Sequence, residues 1–485
     1  MSRRLLCLPL VLAASACTVG PNFHRPAAPT SERYTPVPLP AQVAAAPGAP
    51  AQQLILGMAT PQRWWEQFGN VQLTALVDEA LTANADLAAA DAALRQSRAL
   101  AGAAAGAKLP AVDLGYQTER TRTSRSLSNV LADNDRYLYS LNTAQVAVSY
   151  PLDLFGGLRR KTESVRAAAE AQMFRTEAAR LTVATNTVLA VVRIAALEDQ
   201  IKAARTTISA NRTLLGLFRR RQELGQIGAA DVAAQETIVG QAEGTLPPLL
   251  KALAHQRAAL NVLLGREPAS PAPASIRLDQ LALPPNLPLT LPSSLVRQRP
   301  DIRAAEAQLH GAGADVGVAI AARLPQITLS ANFGGKAIGF ERMFAGGNPF
   351  WSIIGGIAQP VFRGGALKRQ QRAAEAGLDG AKAQYRGVVL AALVDVSDAL
   401  VALNEDAAAL ASAAKASDAA KRNLAFVTRQ LALGDVDTLT VLNATNANAA
   451  TQSLLAQARG ARFADTAALY QALGGGAASD PASKP

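Results

Sequence analysis

Cysteine and histidine are the side chains that most readily give an unfamiliar chain nucleophilic, redox or metal chemistry. Here there are two cysteines, Cys7 and Cys17, and three histidines, His24, His255 and His310, scattered over 485 residues. None of the histidines has a nucleophile or carboxylate at a spacing that would make an acid–base pair. No Cys/His group has metal-ligand spacing, and no glycine-rich loop has the form that cradles a phosphate. Gly156-Gly157 and Gly364-Gly365 stand instead at strand-to-helix turns, where glycine serves backbone geometry. The sequence points away from an enzyme: no catalytic residue, no metal site and no cofactor is expected.

Covalent chemistry of another kind is written at Cys17. Arg3-Arg4 is followed by an apolar run over residues 5–14 and then by Ala14-Ser15-Ala16-Cys17. The run is too short for a stable bilayer span, so residues 1–16 read as a cleaved export signal. Small residues directly before a cysteine resemble the lipobox of bacterial lipoproteins, in which that cysteine becomes the lipidated N-terminus. Ala14 stands where leucine is usual. Thr18 follows the cysteine, and the lack of aspartate there resembles lipoproteins sent on to an outer membrane. Cys7 leaves with the signal, so the exported chain has no disulfide. A covalent lipid on Cys17 is the one group expected, and a lipid anchor holds firmly only with several chains or other help.

The net charge of +11 would suggest nucleic acid in a cytoplasmic protein, but export excludes that partner. No basic block is interleaved with stacking aromatics, so the cations read as arginines on solvated helix faces. Hydrophobic residues make up 49% of the chain, mostly alanine, and aromatics only 5%. Small apolar side chains suit helices lying close along a seam rather than a bulky globular core. Beyond the signal no run reaches about eighteen consecutive apolar residues, so no transmembrane helix is expected.

The element that positions everything else lies within residues 150–225. After a proline turn at Pro151 it runs without proline to Leu224-Gly225-Gln226-Ile227-Gly228. Such a stretch favours one helix of ~100 Å, stopped by glycine. Ile194, Ile201, Ile208 and Leu215 recur at heptad spacing, which predicts left-handed packing against other helices. Before it come a proline-rich, extended segment with no core of its own (18–60), a helix over about 70–107, and two alternating stretches, 111–118 and 137–150, which make a hairpin with a long polar loop. After it comes a shorter helix over about 229–264, interrupted at Pro247-Pro248.

The pattern then starts again. Lys108-Leu109-Pro110 matches Arg323-Leu324-Pro325, Pro151 matches Pro360, and Leu224-Gly225 matches Leu433-Gly434, with offsets of about 209 residues. The second half reads as helix (292–321), hairpin (326–333 and 350–359), long helix (364–432) and short helix (437–473). The two shorter helices of each half, stacked end to end, match the length of the long one. Their junction is expected near mid-height, where the linker and both mature termini would emerge.

Ile327, Leu329, Ala331 and Phe333 alternate with Thr328, Ser330 and Asn332, as a strand between lipid and water requires. Four strands cannot close a barrel, and an open edge cannot sit in lipid. Two, three or four chains would give eight, twelve or sixteen strands, and arithmetic alone does not choose.

Trp64-Trp65 with Phe68, the stretch Leu291-Pro292-Ser293-Ser294-Leu295 through Arg299-Pro300-Asp301-Ile302, and the repeated Pro…Phe…Gly-Gly at 151–157 and 360–365 resemble the outer-membrane factors of Gram-negative tripartite efflux systems. The type they look like is the OprM/NodT-like lipoprotein branch of the TolC-like family, and Val19-Gly20-Pro21-Asn22-Phe23 after Cys17 is similar to that branch's mature N-terminus. The resemblance covers residues 17–476. It implies a mainly α fold with a transmembrane β part, internally duplicated: a long α-helical barrel plus a shared 12-stranded β-barrel, four strands per chain, in a homotrimer. The division it implies is a lipidated extended segment (17–69), a first repeat (70–265), an equatorial linker (266–291), a second repeat (292–474) and a flexible tail (475–485).

The implied function is an outer-membrane, lipid-anchored exit duct reaching into the periplasm. It would conduct drugs or other small molecules passively from an RND-type inner-membrane pump through a periplasmic adaptor. The family's periplasmic gate, a leucine and an aspartate four residues later, corresponds to Leu439 and Asn443; three copies would stack an apolar ring on a polar one. Asparagine removes three negative charges, so weaker cation selectivity is expected. The adaptor-docking tip corresponds to Gly225, Gly228, Gly434 and Asp435, with Arg220 and Arg429 one turn back. Those arginines either pair with adaptor groups or complement helix C-termini. Alternatives with the same fold are type I protein or peptide secretion and metal efflux; a poreless periplasmic coiled-coil scaffold is the alternative from another class.

Overall fold

The computed structural model describes residues 18–38, 40–122, 124 and 138–476. Strands β1 (Gln42–Val43) and β2 (Gln52–Leu56) precede a 3-10 helix at Trp64–Phe68, then α1 (Val71–Ala83) and α2 (Ala85–Gly106). Strands β3 (Ala111–Arg122) and β4 (Leu138–Leu152) lead into α3 (Gly157–Glu223), α4 (Ala229–Gly244) and α5 (Leu246–Leu263). Strand β5 (Asn286–Leu289) is followed by α6 (Pro292–Gln298), α7 (Pro300–Ala321), β6 (Gln326–Ala337), β7 (Pro349–Ala358), α8 (Ala366–Leu433) and α9 (Thr438–Ala472). The rods α3 and α8 hold 67 and 68 residues, ~100 Å each.

The expected helices are present, with breaks that have local causes. The helix over 70–107 divides at Asn84, whose extended backbone stops α1 while its Oδ1 accepts from the N–H groups of Asp86 and Leu87 and caps α2. The helix over 292–321 divides at Arg299, held extended because Pro300 follows it. The interruption expected at Pro247-Pro248 falls at Thr245, leaving the prolines in the first turn of α5, where a missing N–H breaks no bond. Strand β3 runs on to Arg122, beyond the expected end at Thr118.

The chain forms two compact units. The first comprises residues 1–25, 93–172 and 305–385 and contains one antiparallel sheet of order β3-β4-β6-β7. The second comprises residues 26–92, 173–304 and 386–485. Within it α4 and α5 follow one another back along α3: Arg219 pairs with Glu236, Arg212 with Glu243, and Glu198 with Arg257. The end of α5 meets the α1–α2 break, where Asn84 Nδ2 donates to the carbonyl of Leu263 at 3.1 Å. Gly265, at φ 70°, completes that junction; a Cβ there would lie 2.2 Å from the Ala83 carbonyl oxygen. End-to-end stacking of the short helices is thus observed.

Residues 17–69 are not simply extended chain. β1 and β2 form a small sheet with β5, pairing β2 parallel to β5, and Val43, Gln52 and Leu287 are fully buried. The buried indole of Trp64 stacks on Tyr470 with ring centroids 5.2 Å apart, and Phe68 lies against Phe463. Residues 42–68 and the proline-rich linker therefore share the core of the second unit. Alternation could not show it, because strands of two and four residues carry too short a pattern.

Windows of α3 and α8 are apolar enough by composition to cross a membrane; the α3 window is 61% buried and the α8 window 33%. The heptad residues Ile194, Ile201, Ile208 and Leu215 of α3 are all buried.

Candidate functional site

The sheet has two chemically distinct faces. Strand pairing aligns Val112, Val148, Ala331 and Ile353 in one row, and Leu114, Val146, Phe333 and Trp351 in the next. Leu152, Ile327 and Ile357 continue the same face. Rows of the opposite face hold Asp113, Ala147, Asn332 and Ser352, then Gln117, Thr143 and Lys336. Leu141, Phe350 and Ile354 are apolar exceptions there. Val112, Leu114, Phe333, Trp351, Ile353 and Ile357 are between 64% and 84% exposed. An apolar face so large and so bare needs lipid or another chain against it. Strands β3 and β7 each have one neighbour among the described residues, so each presents an unpaired edge.

Cys17 lies outside the described residues. The residues that follow it are held at the base of this sheet, where strands become helices. Val19 N–H donates to the Phe155 carbonyl. Arg160, 4% exposed, donates from Nε to the Val19 carbonyl at 3.0 Å and from Nη2 to Asn22 Oδ1 at 2.8 Å and the Gly20 carbonyl at 3.3 Å. Gly20, at φ 96°, touches Gly317 so closely that a Cβ would lie 2.4 Å from its Cα. Phe23 then stacks on His310, whose Nε2 is 2.8 Å from Glu163 Oε1, and Arg25 pairs with Glu306. The expectation that both mature termini emerge with the linker is corrected here: the N-terminal segment belongs to the sheet-bearing unit, while Gly475 lies against Leu181 in the other. Nothing in the motif around Cys17 announces Arg160, which is 138 residues from Asn22.

The two helix-end turns share one geometry. Gly225 N–H donates to Gln222 and Gln226 N–H to Arg221; Gly434 N–H donates to Leu431 and Asp435 N–H to Gln430. These are paired Schellman bonds, with Gly225 at φ 71° and Gly434 at φ 83°. Gly228, unlike Gly225 and Gly434, is extended at φ −81° and starts α4, its N–H donating to Asp231. Among the described residues nothing lies within 4 Å of a Cβ built at Gly225 or Gly434, and at Gly228 the nearest atom would be 3.8 Å away. Asp435 and Arg429 are exposed. Arg220 pairs with Glu223 at 2.9 Å, although both groups are exposed and the pair is weak.

Asp437 caps α9, accepting from Thr440 N–H and Oγ1 at 2.8 and 2.6 Å. Those bonds, with Arg221 nearby, hold its carboxyl below the usual carboxylate range. One turn on, Leu439 (41% exposed) and Asn443 share the exposed face of α9, while Leu442 between them is buried. The i, i+4 reading of that face is therefore observed for the single chain.

Long heptad helices in duplicate, carrying a sheet with one lipid-ready face and two open edges, define a class of outer-membrane channel proteins. A model of the family described as outer membrane efflux protein matches residues 76–266 and 291–475. This chain belongs to that family. It is 30% identical over 484 residues to the pyoverdine export outer membrane protein OpmQ of Pseudomonas putida, covering 99% of each chain. Among solved structures it is similar to the outer-membrane channel OprN, with 26% identity, a TM-score of 0.81, and 95% and 99% of the two chains covered. The outer membrane channel CmeC of Campylobacter jejuni shares the fold, with 21% identity, a TM-score of 0.84 and 95% of each chain covered. The protein is an outer-membrane component of an efflux system, situated in the outer membrane and extending into the periplasm.

Proposed function

We propose that three copies of this chain close one barrel and form the passive exit duct of a tripartite efflux system. The two open edges of the four-stranded sheet carry this reading. Backbone groups on an edge in hydrocarbon cost several kcal/mol each, so the sheet must be completed by further strands. The bare apolar line Leu390, Val394 and Val401 on α8, each more than 40% exposed, is a second seam that copies would cover. Three copies give twelve strands, the number implied by the family resemblance.

In this duct Leu439 and Asn443 form the constriction at the periplasmic end. The turns at Gly225–Gly228 and Gly434–Asp435 receive the hairpins of a periplasmic adaptor, and Asp435 and Arg429 are exposed to meet it. The adaptor joins the duct to an RND-type inner-membrane pump. A lipid on Cys17 enters the leaflet beside the sheet base, where residues 18–25 are held. The cargo is of the small-molecule class, and the relative named for pyoverdine export makes pyoverdine a first substrate to try. Among the described residues no group of three metal-ligating side chains converges, so no observation favours metal as cargo.

Light scattering of the detergent-purified chain tests the assembly. Three copies per particle are expected; a monomer with protease-accessible strands would overturn the duct.

A further inference from the structure

The second unit contains an open pocket of about 630 Å³ between the middle of α3, the first turns of α5 and the last third of α9. Val192, Ala196 and Leu197 of α3, Ala252 of α5, and Ala461 and Ala464 of α9 make its walls apolar. Gly460 allows this close packing: a Cβ there would come within 3.0 Å of the Ala196 Cβ. The buried Gln200 forms a satisfied polar floor, accepting from Gln457 Nε2 at 3.1 Å and donating to the Ala196 carbonyl. At the rim stand Arg193, Lys251 and His255, and no lining residue is acidic. The volume lies within the range of small-molecule sites.

Two observations fix the direction in which the pocket opens. On α3 and α5, Val191, Ile194 and Leu260 do not line it but pack with Leu76 of α1 and with Ile276 of the linker. On α9, the exposed Gln457 and the half-buried Ala461 and Ala464 of the pocket continue, at spacings of three and four, the exposed line that begins with Leu439, Asn443, Ala447, Ala450 and Leu454. The pocket and the constriction therefore share one face of α9.

We propose that this pocket is a binding site in the duct wall for amphipathic organic anions, compounds with a flat apolar body and a carboxylate or sulfonate. The apolar walls take the body, and Arg193 and Lys251 take the charge. The site rests on the reading that Leu439 and Asn443 face the pore. A site of this kind raises the local concentration of anionic cargo above the gate and gives a passive duct a preference of its own.

The probes are 2-naphthalenesulfonate and the (2-naphthylmethyl)trimethylammonium cation, which share an aromatic body and differ in charge. Equilibrium dialysis with the detergent-purified full-length protein should show the sulfonate binding about tenfold or more tightly than the ammonium. The double variant Arg193→Gln/Lys251→Gln should weaken the sulfonate by about tenfold and leave the ammonium unchanged. Ala252→Trp, which fills the pocket and keeps both cations, should abolish sulfonate binding; general attraction to a basic lumen would survive that change. Equal binding of the two probes, or a sulfonate affinity unmoved by both variants, overturns the site. In planar bilayers the sulfonate should reduce single-channel current at the concentration at which it binds. Binding without an effect on current overturns the placement in the duct wall. Absence of any channel current overturns the duct itself, and dialysis still decides the pocket.

Discussion

Arg299 Nη1 donates to the carbonyl oxygen of Ala472 at 3.0 Å, tying the α6–α7 break of the second repeat to the end of α9. The same guanidinium donates to the Ala392 carbonyl and pairs with Asp301 and Asp395. In the first repeat the equivalent bond runs from Asn84 to Leu263. A buried charge-assisted donor holding three chain segments contributes about 2–3 kcal/mol. Arg299→Ala should lower unfolding stability by that amount, and Arg299→Lys should recover only part of it, because an ammonium lacks the planar fork. Denaturant unfolding of the purified chain reads both.

Leu439→Ala removes the apolar side chain from the proposed constriction. Resting channels of this variant should pass bulky solutes several-fold faster, measured in single-channel recordings and drug uptake. Asn443→Asp should shift the reversal potential toward cations by restoring a ring of carboxylates. Unchanged conductance and selectivity in both would remove these residues from the gate.

Gly228 is the extended N-cap of α4 and meets only ordinary van der Waals contacts, so a side chain fits there. Gly228→Leu should cost at most about 1 kcal/mol of stability while reducing adaptor cross-linking at the tip by on the order of tenfold. Gly225→Ala, placed at φ 71°, should cost about 1 kcal/mol of stability. Full cross-linking by the Gly228 variant would show that the adaptor docks elsewhere.

Burial and the neighbouring carboxyl of Asp406 push the Asp465 carboxyl up to about 7, against the opposing pull of Arg462. The folded chain therefore holds a proton that the unfolded chain, with an ordinary aspartate near 3.8, has lost. The stabilising contribution is complete below the unfolded value and disappears as pH rises through about 7. Melting temperatures between pH 5 and 8 should fall with rising pH, and Asp465→Asn should flatten that slope. An identical slope in the variant would assign the pH dependence to other groups.

Arg160→Ala removes the donors to Val19, Gly20 and Asn22. Each such bond from a charged donor contributes roughly 1.5–3 kcal/mol, so cleavage within residues 18–25 by added protease should accelerate tenfold or more. The sheet and helices should keep their protection, since this segment alone depends on the clamp. Wild-type cleavage rates in the variant would show that the remaining contacts of residues 18–25 suffice.

What the sequence determined by itself was what repeats locally. Heptads at Ile194, Ile201, Ile208 and Leu215 specified the rods, alternation at Ile327 to Phe333 specified strands with two faces, and matched turns at Gly225 and Gly434 specified the duplication. Tertiary structure alone decided three other matters. It placed residues 18–25 against Arg160 at the sheet base, drew β1, β2 and β5 into one core, and joined α3, α5 and α9 around a cationic pocket. The physical reason is range: periodicity is set by bonds between residues a few positions apart, whereas contacts such as Arg160 with Asn22 and Gln200 with Gln457 join segments more than a hundred residues apart. Such contacts are chosen by burial and hydrogen-bond satisfaction, which no short window of sequence contains.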